Sequence, residues 1–469
     1  MYWYSRFLFE RALALMYLVA FIDAANQFVP LLGQRGLLPI GPFVGAVPFR
    51  ASPSLFYFMP TDTALKAAAW IGIAVASLLL TGYPQRGWLA SGAAWAVLWV
   101  LYLSFVNVGQ TFYAFGWESL LLETGFLAIF LGRSGAQPSF IHNLLLRWVL
   151  FRIMFGAGLI KMRGDPCWRH LTCLDYYFET QPMPNPLSWY FHWMPRALLH
   201  AGVGFNHFVE LIVPFFYFLP QPIATIAGTI TIVFQLTLIV SGNLSWLNWL
   251  TIVLAIPTID DRWLQWLPAH QPPLTAEAAV YQGAMYVLAA VVLFLSLNPV
   301  LNMLSPNQVM NTSYTPLQIV NTYGAFGSIT RTRDEIVIEG TDDEAAGQQS
   351  GWRAYEFKGK PGDPRHRPPQ VAPYHLRLDW LMWFAAMSSP SQHPWFSALL
   401  VKLLQGDAAT LGLLRTNPFP DHPPRYVRAQ FYEYHFTTPQ ERRATGAWWT
   451  RTLLGSYFPP VSLRDVRKR

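Results

Sequence analysis

WLASGAAWAVLWVLYLSFVNVG, residues 88–109, holds no Asp, Glu, Lys or Arg, and neither does PIATIAGTITIVFQLTLIVS at 222–241. A helix rises 1.5 Å per residue, so about 20 apolar residues cross the hydrocarbon core of a bilayer, where the backbone can satisfy its hydrogen bonds only within itself. These two runs decide the fold class: a polytopic α-helical membrane protein. Further apolar segments fall at roughly 11–32, 63–83, 112–132, 141–161, 202–220, 243–258 and 278–297, which makes about nine transmembrane helices within 1–297. Gly82-Tyr83-Pro84 and Pro220-Gln221-Pro222 are turn-length joints, so the helices they link run antiparallel. The segment at 243–258 is short enough to read as re-entrant. The first segment follows Arg6 and Arg11, is long for a signal peptide and contains Asp23, so it reads as an uncleaved helix.

The whole chain agrees with this class. Its 469 residues are 53% hydrophobic and 16% aromatic but only 13% charged, against about 25% charged in soluble domains. Of the formal charge of +7, residues 298–469 contribute +5, from 19 Lys+Arg against 14 Asp+Glu. No nucleic-acid motif accompanies this excess, which reads as a solvated face near anionic membrane lipids. Nine spans leave the two termini on opposite sides. With a cytoplasmic N-terminus, an outer loop at 162–200 and the 298–469 tail share the outer side. Basic residues do not settle the orientation: Arg6, Arg11, Arg86, Arg133 and Arg262 fit the inside, whereas Arg35, Arg50, Lys161, Arg163, Arg169 and Arg196 fall outside.

Residues 298–469 read as a soluble C-terminal α+β domain. EIVIE (335–339), RAYEFK (353–358) and RYVRAQFYEYHF (425–436) alternate as strands, while LRLDWLMWFAAM (376–387) and WFSALLVKLLQ (395–405) have helical spacing. Trp380 and Trp383, at i and i+3, read as core.

Between two apolar segments lies GAGLIKMRGDPCWRHLTCLDYYFETQPMPNPLSWYFH (156–192), which carries both cysteines. Cys167 and Cys173 are six apart. Zinc wants more ligands at tighter spacing than these two and His170 supply, and a thioredoxin-type redox pair wants C-x-x-C. A disulfide closing a small loop needs only an oxidising compartment, and it is the favoured reading. Lys161 and Arg163 end a span, as long cations that snorkel to lipid headgroups do; the sharper reading makes Lys161 a base or part of an anion site. Glu118, Glu123, Arg147, Arg152, His207 and Glu210 lie within apolar segments, where charge is costly. Glu–Arg and His207–Glu210 pairs joining helices account for them, and so does a polar cavity for a lipid or quinone head group. His207 and Glu210 lack further ligands in sequence, so no metal is expected. The three prolines of ETQPMPNPLSWYFH (179–192) suggest a rigid extended lid or loop, with Trp189, Tyr190 and Trp193 in an interfacial aromatic belt. Asn311-Thr312-Ser313 fits a glycosylation sequon. No Gly-rich phosphate loop, G-x-S-x-G or H-E-x-x-H occurs, so the chain shows no hydrolase of its own.

GLIKMRGDPCWRHLTCLDYYFETQPMPNPLSWYFHWMP resembles the signature loop of the lipase maturation factor family. The likeness marks Arg163, Asp165, Trp168, Arg169, Asp175, Tyr176, Glu179, Gln181, Pro182, Pro184, Asn185, Trp189 and His192 as family-motif residues. It continues through NHFVELIVPFFYF (206–218) and SGNLSWLNWLTIVLAIPTIDD (241–261) to NTYGAFGSITRTRDEIVIEGT, PPQVAPYHLRLDWLMWFAAM and NPFPDHPPRYVRAQFYEYHFT near the C-terminus. The resemblance implies a non-enzymatic membrane folding factor, with secreted lipases as clients and membrane lipids around it. It would act through the loop and tail, in the endoplasmic reticulum membrane if eukaryotic and the inner membrane if bacterial. A shorter stretch, AGLIKMRGDPCW, is similar to the vitamin K-dependent γ-carboxylases, whose A-G-x-K-K-type segment carries a base lysine; Lys161 would match it, with Ile160 in place of the second lysine. That alternative implies a quinone-using membrane enzyme.

Overall fold

The computed structural model describes residues 2–347 and 350–466. Among the described residues nine longer helices make up the membrane part, apart from short ones such as Ile40–Ala46: α1 Trp3–Leu32, α2 Asp62–Thr81, α3 Trp88–Val108, α4 Gly116–Ala128, α5 Phe140–Arg163, α6 Arg196–Phe218, α7 Ile223–Ser241, α8 Leu247–Thr258 and α9 Ala279–Leu304. Seven of them, all but α4 and α8, are long and apolar enough to cross a membrane. The chain is a multi-pass membrane protein. Local chemistry sets the boundaries. Thr61 and Ser139 cap α2 and α5 through their hydroxyls, which accept from the backbone N–H of Ala64 and His142, and Gly82 ends α2 in the left-handed conformation.

The expected segment 112–132 is only a 13-residue helix, about 20 Å long. Residues 243–258 shorten similarly to Leu247–Thr258. Both helices nevertheless run from one end of the bundle to the other. At the end bearing the N-terminus, the Trp3 N–H donates to Asp261 Oδ2 (2.7 Å), Arg6 donates to the carbonyls of Ser134 and Ala136, and Gln221 donates to the Thr258 carbonyl (2.8 Å). At the other end, Asn107 donates to the Pro316 carbonyl (3.0 Å), Gly116 abuts Asn311, and Asn243 accepts from the N–H groups of Val371 and Ala372. All nine passages therefore alternate. Short helices suffice for α4 and α8 because they are wrapped by protein, where non-helical backbone at their ends finds partners. Helix α1 begins at Trp3 rather than near residue 11 because the buried Arg6 is satisfied by carbonyls and does not force the chain into water. The last membrane helix is interrupted at Ser296 and continues to Leu304.

The C-terminal part is a four-stranded antiparallel sheet in the order β2-β1-β3-β4, with β1 Arg333–Thr341, β2 Arg353–Ala354, β3 Tyr426–Phe436 and β4 Trp449–Val461. Pairing runs from Arg333 opposite Tyr434 to Thr341 opposite Tyr426, and Phe436 faces Trp449. Helices α10 Arg377–Ala386 and α11 Pro394–Leu404 pack on β1 and β3. RAYEFK keeps only two residues in a strand, with Glu356 bridging to Thr416 instead. Strand β4 has no counterpart in the sequence reading: Gly455, Pro459 and Pro460 argue against a strand, yet they are tolerated because β4 is an edge. One hydrophobic cluster runs unbroken from Phe9, Tyr17 and Tyr102 in the bundle to Trp380, Trp395 and Leu399 in the cap.

Candidate functional site

Within 179–192, expected as a rigid extended lid or loop, residues 181–187 with their three prolines form a non-helical link, and both flanks of that link are helical. Residues 162–200 fold into the short helices Pro166–Arg169, Leu174–Thr180 and Ser188–His192, with those prolines between the last two. Asp165 caps the first: its carboxylate accepts from the Cys167 N–H (2.9 Å) and from Arg331 (2.7 Å). Burial pushes the Asp165 carboxyl up, but Arg331 and the Cys167 N–H outweigh burial and hold it below the usual carboxylate range. Cys167 and Cys173 are joined in a disulfide, as expected, within a small cluster of Trp168, Tyr177, Phe178 and Leu199. Among the motif residues, Trp168 donates to the Phe326 carbonyl, Arg169 donates to the Met162 carbonyl, Asp175 faces His200, and Arg331 lies over the Tyr176 ring. Arg163 bonds Gln308 and the Met303 carbonyl at the end of α9.

The second half of the loop is bolted to the cap. The Glu179 carboxylate accepts from the Phe436 N–H (2.7 Å) and from His435 Nδ1 (3.1 Å), and His192 Nε2 lies 3.8 Å away. Burial pushes His192 below its ordinary value, and Glu179 only partly opposes this. Arg333, fully buried at the start of β1, donates to the carbonyls of Glu179, Gln181 and Pro182, ending the Leu174–Thr180 helix with a cation where its dipole is negative. Gln181 donates to Ser188 Oγ and the Ser241 carbonyl. Asn243 donates to the carbonyls of Pro184 and Pro369, and Asn185 donates to Gln370. Trp189 and Trp193 donate to the Thr437 carbonyl at 2.7 and 3.1 Å, which ties both to the end of β3. Trp189 packs with Phe436, Trp448 and Trp449, and Arg442 lies over the Trp448 ring at 3.4 Å. Trp380 is core, and Trp383, less buried, donates to the Thr180 carbonyl.

The intramembrane groups sort differently from the sequence reading. Glu123 and Arg152 do pair, and Asn321 and Tyr323 of the cap linker also bond Glu123. Glu118 instead shares Arg377 of the cap with Asp23 of α1: guanidinium to carboxylate is 2.7 and 2.6 Å. Among the described residues Arg147 pairs with no carboxylate; it donates to the carbonyls of Tyr217 and Pro257 at the C-terminal ends of α6 and α8. His207 and Glu210 do not pair. A π-helical turn at Phe208–Ile212 alters their spacing; His207 bonds the Trp168 carbonyl, and Glu210 takes Lys161 at 2.5 Å. Lys161 does not snorkel. It is 5% exposed, also donates to Asn206 (3.1 Å), and lines a cavity of about 640 Å³ between the bundle and α10. Asn311 is exposed at the rim of that cavity. No group of three metal-binding side chains exists among the described residues. Sequence reasoning missed Asp23, Asn206, Asn243, Arg333 and Arg377; each stood in apolar or polar surroundings with no spacing signal, because its partner is remote in the chain.

Fold and site define a polytopic membrane protein whose disulfide-bearing loop and α+β cap make one body at one end of the bundle. Residues 4–266 match the family model for the lipase maturation factor transmembrane domain, and residues 319–459 match that for its C-terminal domain. The chain is 44% identical to lipase maturation factor 1 of Bos taurus over 99% of its length and 90% of the relative's. It is 44% identical to lipase maturation factor 1 of Homo sapiens over 99% and 89%, and 28% identical to lipase maturation factor 2 of Xenopus tropicalis over 96% and 81%. No solved structure matches. The chain belongs to the lipase maturation factor family. The likeness to γ-carboxylases finds no support in these matches.

Proposed function

We propose that this chain is a membrane-embedded maturation factor for secreted lipases, working from the outer side through the 162–200 loop and the C-terminal cap as a single client-facing surface. The relatives' names carry the lipase assignment. The observation that supports the surface is the mutual locking of loop and cap through Glu179, Arg333, Asn243 and Trp189. That body exposes Tyr190, Trp193, Leu453 and Leu454, apolar side chains of the sort that meet unfinished chains. The disulfide fits an oxidising side, the reticulum lumen or the periplasm according to the host.

The test is deletion in a native host. Secreted lipase activity should fall while lipase synthesis stays constant, and full-length protein should restore it. Restoration should fail for a chain carrying Tyr190→Ser, Trp193→Ser and Leu453→Ser together. Unchanged lipase activity on deletion contradicts the reading.

A further inference from the structure

The lipase reading leaves the cavity unused. Its wall is carbon along most of its length, from Ile153, Leu238 and Leu247 in the bundle to Trp117, Trp380 and Phe384 near the cap. At about 640 Å³ it lies in the range of sites for ligands rather than packing defects, and an apolar wall does not hold water well. Phe384 and Met310 at its edge are exposed, so it has a mouth.

One pole is polar by construction. Lys161 Nζ donates to Glu210 Oε1 (2.5 Å) and Asn206 Oδ1 (3.1 Å), and the Asn206 amide donates to Glu210 Oε2 (2.9 Å). An ammonium has three N–H groups; two of these meet an oxygen among the described residues, and the Trp168 ring, 5.0 Å from Nζ, supplies no oxygen acceptor for the third. The backbone is shaped for this arrangement. Pro214 has no N–H to offer the Glu210 carbonyl, and the helix widens there into the π turn Phe208–Ile212, a feature that recurs at functional sites. Gly158 of α5 lets that turn close in: a Cβ on it would sit 3.0 Å from Cβ of Glu210.

The paired pole carries no net charge. An added carboxylate would meet Glu210, and an added cation would compete with Lys161. A neutral acceptor needs neither adjustment. We propose that the cavity binds one acyl chain of a neutral ester, the chain along the carbon wall and the ester carbonyl accepting from Lys161 Nζ. The source is either a free acyl ester or an acyl chain of a bilayer phospholipid. The proposal does not depend on the lipase reading.

The full-length protein in nanodiscs tests it, with the methyl ester of cis-parinaric acid as probe and energy transfer from Trp117, Trp380 and Trp383 as signal. Saturable binding of one probe per chain is expected, with parinaric acid at pH 8 at least 10-fold weaker. A parinaroyl phosphatidylcholine that binds as well as the methyl ester marks the bilayer as the source, and one that does not marks free esters; both agree with the proposal. Ile153→Trp, two helical turns before Lys161, and Leu247→Trp on α8 fill the cavity and should each abolish saturable binding in protein that remains monodisperse. Absence of saturable binding by the unmodified chain overturns the proposal. So does binding untouched by both fillings, or acid bound as tightly as ester.

Discussion

Arg333 stands at the centre of the loop–cap junction, fully buried, with its guanidinium divided between three loop carbonyls and the Glu335 carboxylate. Removing the guanidinium strands three buried carbonyls and leaves Glu335 with Lys360 as its one remaining cation among the described residues, which costs about 3–5 kcal/mol. Arg333→Met should therefore lower the unfolding free energy in detergent by that order, whereas Thr452→Ala on the exposed edge should stay within about 0.5 kcal/mol. Glu179→Gln is milder. It keeps an acceptor for the Phe436 N–H but loses the charge, and about 1–3 kcal/mol is expected. His192 adds a pH dependence. Its folded value lies below its ordinary 6.5, so the unfolded loop binds the proton more readily. Stability from this residue is complete above 6.5 and falls as the pH drops from there through the lower folded value. Glu179, His435 and Asp175 are the ionisable neighbours. Hydrogen exchange at the Phe436 amide, corrected for its intrinsic rate, should speed up over that window, and His192→Gln should flatten the change.

At the scale of elements, the disulfide closes a small ring, for which loop-closure entropy gives about 2 kcal/mol. Cys167→Ser with Cys173→Ser should loosen residues 166–177 by about that amount, read as faster proteolysis there, with the bundle intact. Gly164→Ala should do comparable damage by a different route: its Cβ would lie 2.1 Å from the Gly327 carbonyl, which bonds the Asp165 N–H. The long helices and α10, α11, β1 and β3 were legible because their apolar periodicity is local. Helices α4 and α8 were legible as passages but not in length, since protein wrapping replaces the 20 apolar residues a lipid-facing helix needs. Strand β4 and the docking of 179–192 were not legible: an edge position excuses proline in the one, and the hydrogen bonds to Thr437 and Arg333 that fix the other come from residues remote in the chain. Of the polar pairs, only Glu123–Arg152 could be guessed; Lys161–Glu210 depends on a π turn that no pattern announces.

For the molecule as a whole, everything turns on alternation. Nine passages, two of them short, bring the loop after α5 and the tail after α9 to the same end, and the bonds between Glu179, Arg333 and Phe436 require it. Both cysteines are held in the disulfide, so a single introduced thiol is a clean reporter. Arg169→Cys on the loop and Thr452→Cys on β4 are exposed at one end, and Arg133→Cys is exposed at the other. A membrane-impermeant maleimide applied to sealed vesicles of one orientation should label Arg169→Cys and Thr452→Cys together and spare Arg133→Cys, with the reverse in inverted vesicles. Labelling of the loop and the sheet from opposite faces would contradict the account.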